Sequence, residues 1–266
     1  MNILITNDDG YGAWGIEVLI ERLAEEHNIY VVAPDGNRSG SGMSINIATP
    51  LQYSMKADKR FTCSGSPVDC VVAGLMTDLV SEKIDLVVSG INHGPNLGTD
   101  ILYSGTCSAA KEATMMGVPA IAVSLSIPSD LDWEDKNSWN FRPLADFIAD
   151  NIDSLMSLAR PSLVSRAEVA DKRGVFVNVN AFSSESYKGV KMTDCCFMLH
   201  DGSAKLTVNG ENKNDFTSVF WGMHSKAARR DGSDYLACKE GYISVSRVLA
   251  EPVIESLDAE GITWNV

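Results

Sequence analysis

Through the first 125 positions, short unbroken apolar runs alternate with stretches whose apolar residues recur at helical spacing. Residues 2–6 (NILIT) predict a strand that ends at the polar Asn7-Asp8-Asp9-Gly10. Residues 14–26 set Ile16, Leu19, Ile20 and Leu23 on one face and charges on the other, which predicts a helix. A second strand over 29–33 stops at Pro34-Asp35-Gly36, and Ser66-Pro67 opens a helix over 68–80 with proline in its first turn. Residues 84–88 predict a third strand ending in Ser-Gly, 108–116 a helix of small residues, and 120–123 a fourth strand. Strands apolar throughout, separated by amphipathic helices, imply a mostly parallel sheet covered on both faces, a doubly wound α/β fold. In such folds ligands bind outside the carboxyl ends of the strands, and there the polar, glycine-rich segments of this chain fall.

Further along, residues 126–139 (SIPSDLDWEDKNSW) are acidic and read as a surface connection. A helix is expected over 141–159, through Leu144, Phe147, Ile148, Ile152 and Leu155, and a strand over 175–179. Beyond residue 185 the periodicity weakens, and alternation such as that of 203–208 suggests hairpins. The expected organisation is an α/β core over 1–184 and an extension over 185–266 that carries hairpins, completes one domain and serves oligomerisation.

Composition narrows the possibilities. The 266 residues are 45% apolar and 21% charged, with a mean hydropathy of −0.02, which excludes disorder and collagen-like repeats. The formal charge is −13, from 35 acids against 22 bases, so a general nucleic-acid-coating or anionic-membrane role is disfavoured. A small anionic substrate would need a local cation. The start MNILITNDDG lacks a basic targeting segment, and no apolar run approaches the ~20 residues of a membrane span. Six cysteines without a CxxC pair read as buried free thiols of a reducing cytoplasm.

Four loops carry candidate chemistry. Asp8 and Asp9 end the first strand, and burying adjacent carboxylates is costly unless a cation pairs with them. A hard divalent ion such as Mg²⁺ or Mn²⁺ suits such oxygen ligands, although Asn-Asp-Asp-Gly is also ordinary turn chemistry, the stronger reading for the dipeptide alone. Asn37-Arg38-Ser39-Gly40-Ser41-Gly42 follows the second strand, where Ser39 offers a neutral oxygen; a plain surface loop explains the segment equally well. After the third strand, Asn92 offers a carbonyl oxygen and Asn96 an amide donor, whereas His93 is best read as a loop residue near the mouth. Tyr103-Ser104-Gly105-Thr106 opens a helix, so hydroxyls and exposed N–H groups form a ready anion site, or simply an N-cap. Each motif is weak alone. Four such loops after successive strands favour a metal-plus-phosphate pocket.

The set ITNDDG (5–10), APDGNRSGSG (33–42), GSPVDCV (65–71), SGINHGPNLGTDILYSGT (89–106) and GVPAIAVSL (117–125) closely resembles the SurE family, the survival-protein-E 5′-nucleotidases. The resemblance implies a Rossmann-like fold with a C-terminal arm that builds homodimers or homotetramers. It implies one divalent metal per subunit, held by Asp8, Asp9, Ser39 and Asn92, and a phosphate faced by Asn96, Ser104, Gly105 and Thr106. The implied activity is hydrolysis of nucleoside 5′-monophosphates, and of 3′-monophosphates as a further substrate. This chain departs from the family pattern at Ser66, Cys107, Lys111 and Ala113, at Ala181-Phe182 where a proline is usual, and in GYISVSRV (241–248). Lys111 either lines the substrate side or faces solvent.

The expected reaction uses Asp8, Asp9, Asn96, Ser104 and Thr106 as catalytic groups, with the metal offsetting the dianion's charge. Alternatives are a catalytically weak nucleotide-binding paralogue, or a phosphatase for another phosphomonoester or short polyphosphate. A haloacid-dehalogenase-type phosphatase would need Asp-x-Asp, and Asp8 is followed by Asp9-Gly10. A receiver domain would need an Asp after the third strand, where Ser-Gly-Ile-Asn stands.

Overall fold

A computed structural model describes residues 1–127, 135, 138–162, 173–200, 203–208, 216–221, 225–227 and 230–252. Its strands are β1 (Asn2–Thr6), β2 (Asn28–Pro34), β3 (Tyr53–Ala57), β4 (Arg60–Cys63), β5 (Leu86–His93), β6 (Ala120–Ser126), β7 (Val175–Phe182), β8 (Val190–Met192), β9 (Met198–His200), β10 (Ser203–Val208), β11 (Phe216–Trp221), β12 (Ser225–Ala227) and β13 (Ile243–Leu249). The helices are α1 (Trp14–Leu23), α2 (Pro67–Met76), α3 (Gly105–Met115), α4 (Arg142–Asp150), α5 (Ile152–Leu158) and α6 (Asp234–Lys239), with a 3-10 turn over Gly98–Leu102.

Nine of these strands form one sheet in the order β3-β4-β2-β1-β5-β6-β7-β13-β8. The six from β4 to β7 are mutually parallel, while β3 and β13 run antiparallel to β4 and β7. Alternation along β1 divides the core in two. Ile3 and Ile5 pack with Ile16, Leu19 and Leu23 of α1 and Leu144 and Ile148 of α4, whereas Leu4 packs with Val71 of α2 and Ala109 and Ala113 of α3. The doubly wound, mostly parallel reading therefore holds. Order reverses between β1 and β5, since the chain leaves β1 toward β2 on one side and returns to β5 on the other. The carboxyl ends of β1 and β5 frame the crevice that such a switch point creates.

Some details differ from the sequence reading. β3 and β4 were not expected, because β3 is an exposed edge strand and β4 supplies only four residues. β5 runs on to His93 rather than stopping at Ser-Gly. Gly90 permits this: at φ +138°, an added Cβ would lie 2.2 Å from Val123 O, so no other residue fits between β5 and β6. The helix expected over 141–159 is two helices, broken at Asn151, whose φ of −122° and ψ of 16° leave the helical region. Of the connection over 126–139, residues 128–134, 136 and 137 lie outside the described residues; its ends at Ser126, Ile127 and Trp139 are buried rather than on the surface.

The hairpin expected around 203–208 is β10 paired antiparallel with β11. β12 pairs with β9, and β13 and β8 join the main sheet. Five cysteines are buried free thiols and Cys195 is an exposed one. No described helix is long and apolar enough to cross a membrane.

Candidate functional site

Asp8 and Asp9 sit in the turn that leaves β1. Asn7 closes that turn from within: its Nδ2 donates to Gly10 O at 2.9 Å and its Oδ1 accepts Gly10 N–H at 3.2 Å. Gly10 has φ +103°, and a Cβ there would meet the Gly36 backbone at 2.9 Å. The segment is thus a turn closed by the Asn7 side chain, as its composition suggests, and the same turn fixes two carboxyls at the switch point.

Asp8 is only 4% exposed. Its Oδ1 accepts a hydrogen bond from Thr106 Oγ1 at 2.6 Å. Burial pushes its pKa up, and bonds from the Thr106 hydroxyl and from the Thr106 and Gly105 backbone oppose that rise. Asp8 therefore lies against the N-terminus of α3, where helix N–H groups favour an anion. Asp9 is pushed up to about 6 by burial, with the Asp8 charge adding to the rise and the His93 N–H bond at 3.0 Å opposing it. Among the described residues, no cationic side chain is among the groups acting on either carboxyl. Arg38, on the neighbouring loop, is engaged by Asp35 at 2.6 Å.

Asn92 is buried at the end of β5. Its Nδ2 donates to Gly94 O at 2.9 Å, which turns its Oδ1 toward Thr106 Oγ1, 3.5 Å away. Asp8, Asn92 and Thr106 thereby converge, with Asp9 beside them. The donor set is all oxygen, two carboxylates with neutral amide and hydroxyl oxygens, which fits a hard divalent cation and not a soft one. Among the described residues no group of three or more His, Cys, Asp or Glu is gathered, as expected of a set with two carboxylates. The residues present fit a divalent ion because a buried and a half-buried carboxyl repel each other and find no compensating charge among the described residues.

The phosphate-facing candidates divide. Ser104 is the N-cap of α3, accepting Cys107 N–H at 3.0 Å, which leaves its own proton to donate. An added Cβ on Gly105 would lie 2.8 Å from Asp8 Cβ and 2.8 Å from Ser41 Oγ, so only glycine lets these groups close over the helix end. Asn96 is held by a buried polar network rather than pointing freely at a ligand. Its Nδ2 donates to Ser124 Oγ at 2.8 Å, its N–H to Asn180 Oδ1, and its carbonyl accepts from Asn178 and Asn180. Ser39 is exposed, with its N–H donating to Asn37 Oδ1. Its loop is tied to the site through Arg38 N–H, which donates to Asp8 O at 2.7 Å. His93 packs on the buried Trp139 with ring centroids 3.7 Å apart and the planes tilted by 40°, and burial lowers its pKa. Lys111 is partly buried on α3.

Several contributors escaped the sequence reading. Asp69, in the capping box of α2, also accepts both Asn46 N–H and Asn46 Nδ2, at 2.8 and 2.7 Å, while Ser66 Oγ donates to Ser44 O. The loop after β2 is therefore fastened to α2. Asp234 accepts Gly98 N–H at 2.7 Å and Cys196 N–H at 3.0 Å, so the weakly patterned tail braces the segment leading into α3. The alternating Asn178-Val179-Asn180 on an otherwise apolar strand and the Ser66-x-x-Asp69 spacing of a capping box were the visible signals; the Asn46 and Asp234 contacts had none. Two cavities, of about 530 and 470 Å³, lie away from the carboxyls: one by the C-terminal ends of α2 and α3, the other between the 3-10 turn and Cys195, Cys196 and Phe197.

The family model described as survival protein SurE matches residues 3–200. The chain is 39% identical over 253 residues to a 5′-nucleotidase SurE of Geobacter sulfurreducens, covering 92% of this chain and 87% of that one. It is 34% identical over 251 residues to a 5′-nucleotidase SurE of Desulfitobacterium hafniense, covering 92% and 90%. Among solved structures, the SurE protein from Aquifex aeolicus superposes with a TM-score of 0.74 at 31% identity, covering 95% of each chain.

Proposed function

This chain belongs to the SurE family, and from that membership and the site we propose that it is a metal-dependent 5′-nucleotidase. It hydrolyses nucleoside 5′-monophosphates, with 3′-monophosphates as a further substrate, to nucleoside and phosphate. The observation that carries the reading is the convergence of Asp8, Asn92 and Thr106 at the N-terminus of α3 with Asp9 beside them, where no cationic side chain among the described residues acts on either carboxyl.

One divalent ion per subunit, Mg²⁺ or Mn²⁺, would be held by Asp8, Asp9 and Asn92, with Ser39 reaching in from its loop. When bound it supplies positive charge and Lewis acidity toward the phosphoryl group. The chain's own residues do the rest. Ser104, whose hydroxyl proton is left to donate, binds a phosphoryl oxygen beside the start of α3, and Thr106 holds the Asp8 carboxyl in place. Asn96 fixes the neighbouring backbone through Asn178 and Asn180. Among these groups the carboxyls are the candidates to orient the attacking water.

The wider reading follows from the same family. Residues 1–184 carry the catalytic core, and 185–266 build a homodimer or homotetramer. Six free cysteines are in keeping with a cytoplasmic protein, and the charge of −13 with a small-molecule substrate rather than a nucleic-acid polymer or a membrane surface. The test is phosphate release from a panel of nucleoside monophosphates with Mn²⁺ or Mg²⁺ against EDTA, beside Asp9→Asn. Metal-dependent release lost in Asp9→Asn is expected; phosphate release that is indifferent to EDTA, or none from any monophosphate, overturns the reading.

A further inference from the structure

We propose that Ser41 is a phosphate ligand whose hydroxyl donates to a phosphoryl oxygen held at the N-terminus of α3. This rests on the phosphatase reading above and adds to it a residue of the loop after β2 that stands in neither the metal-ligand set nor the phosphate-facing set.

Ser41 Oγ is buried and has no hydrogen-bond partner among the described residues. Such a group is unfavourable in a folded protein unless something else completes it, and so it calls for an explanation. Its position supplies one. Ser41 Oγ and Asp8 Oδ2 lie 2.8 and 2.9 Å from the point where a Gly105 Cβ would stand, so both oxygens look onto the first residue of α3. That helix has eleven residues, and its leading N–H groups are already turned to an anionic oxygen, that of Asp8.

The hydroxyl has no part in holding its own loop. Ser41 N–H donates to Arg38 O at 3.1 Å and its carbonyl accepts Ser44 N–H at 3.2 Å. Gly42 N–H donates to Tyr103 O at 3.1 Å, next to Ser104, and Arg38 N–H donates to Asp8 O. Beyond these backbone ties, the Ser66 and Asn46 bonds to the loop act three or more residues away. Nor is Ser41 the cap of α3, which Ser104 provides. What remains is a donor held by its backbone ties beside a helix N-terminus and the Asp8 carboxyl. A hydroxyl proton there suits an acceptor oxygen of a bound phosphoryl group, and it adds no charge that would repel the dianion.

This assignment separates function from stability. Ser41→Ala deletes an unsatisfied buried hydroxyl, so the apo protein should melt at the same temperature or higher. The same change should weaken binding of inorganic phosphate to the Mn²⁺-loaded protein about tenfold, the scale of one hydrogen bond to a charged group. Mn²⁺ affinity itself should not move, and Ser41→Thr should retain most phosphate affinity. Calorimetric titration with Mn²⁺, then with phosphate, reads all three quantities without requiring turnover. Unchanged phosphate affinity in Ser41→Ala overturns the proposal, as does a drop in Mn²⁺ affinity that accounts for the whole effect. If the parent protein binds no phosphate, both this proposal and the phosphatase reading fall. If it binds phosphate through Ser41 but releases none from any monophosphate, only the catalytic reading falls.

Discussion

Thr106 Oγ1 donates to Asp8 Oδ1 at 2.6 Å, joining the start of α3 to the end of β1 across 98 positions of chain. Both residues are buried, and the same hydroxyl lies 3.5 Å from Asn92 Oδ1. One side chain thus sets the spacing between the two strand ends that frame the crevice.

Thr106→Val keeps the shape and removes the hydroxyl. Leaving Asp8 short of one bond in a buried setting should cost about 1.5–3 kcal/mol of stability. Activity should fall at least ~10-fold, mainly through weaker metal binding as Asp8 turns away. Urea melts and Mn²⁺ titration of the variant check both effects.

Asp9 should make the metal-free protein pH-sensitive. Its folded-state pKa of about 6 lies above the ordinary 3.8, because burial and the neighbouring Asp8 charge disfavour ionisation. Between those values the folded state holds more protons than the unfolded one, so stability falls as pH rises through the window and stays low above it. In EDTA, Asp9→Asn should melt above the parent at a pH of about 7.5, and the gap should close toward a pH of about 4. A constant gap across that range would refute the assignment.

Gly105→Ala tests the closeness of Asp8 and Ser41 to the helix end. By helix propensity alone the change is favourable by ~1 kcal/mol. Here the new Cβ would sit 2.8 Å from both Asp8 Cβ and Ser41 Oγ, so steric displacement outweighs propensity. A loss of more than ~100-fold in kcat/KM is expected from displacement of groups at the reacting centre. Far-UV circular dichroism should remain that of the parent.

Asp69 links a helix cap to the loop over the site. Burial alone would raise its pKa, yet bonds from Asn46 and Ser66 hold it below the ordinary range. That stabilisation is present at neutral pH and is lost as pH falls through the lowered folded pKa. Asp69→Ala removes the cap and the loop clamp together and should cost ~2 kcal/mol. Asn46→Ala spares the cap, so it should cost about 1 kcal/mol or less while raising KM several-fold. Equal stability losses in the two variants, with KM unchanged in Asn46→Ala, would detach the loop from substrate binding.

The linear pattern of the chain was enough to set the fold class, because it rests on local periodicity. Ile3 and Ile5 against Leu4, or Leu19 against its charged neighbours, declare which faces are buried before any partner is known. The turn at Asn7-Asp8-Asp9-Gly10 and the capped start of α3 were legible for the same reason, since each is decided within a few residues. The strands β3 and β4 were not, because an exposed edge has no buried run to reveal it. Only the folded chain decided which oxygens meet. Ser39 and Ser41 are two positions apart and alike in sequence, yet one is exposed and the other turns a buried hydroxyl toward Gly105. Asn96 could be named from its motif, but its commitment to Ser124 and Asn180 depends on strands joined 28 and 84 positions later. Periodicity follows from backbone geometry and solvent, which act on neighbours in sequence. Hydrogen-bond partners follow from the parallel sheet, which brings together strand ends that have no local relationship.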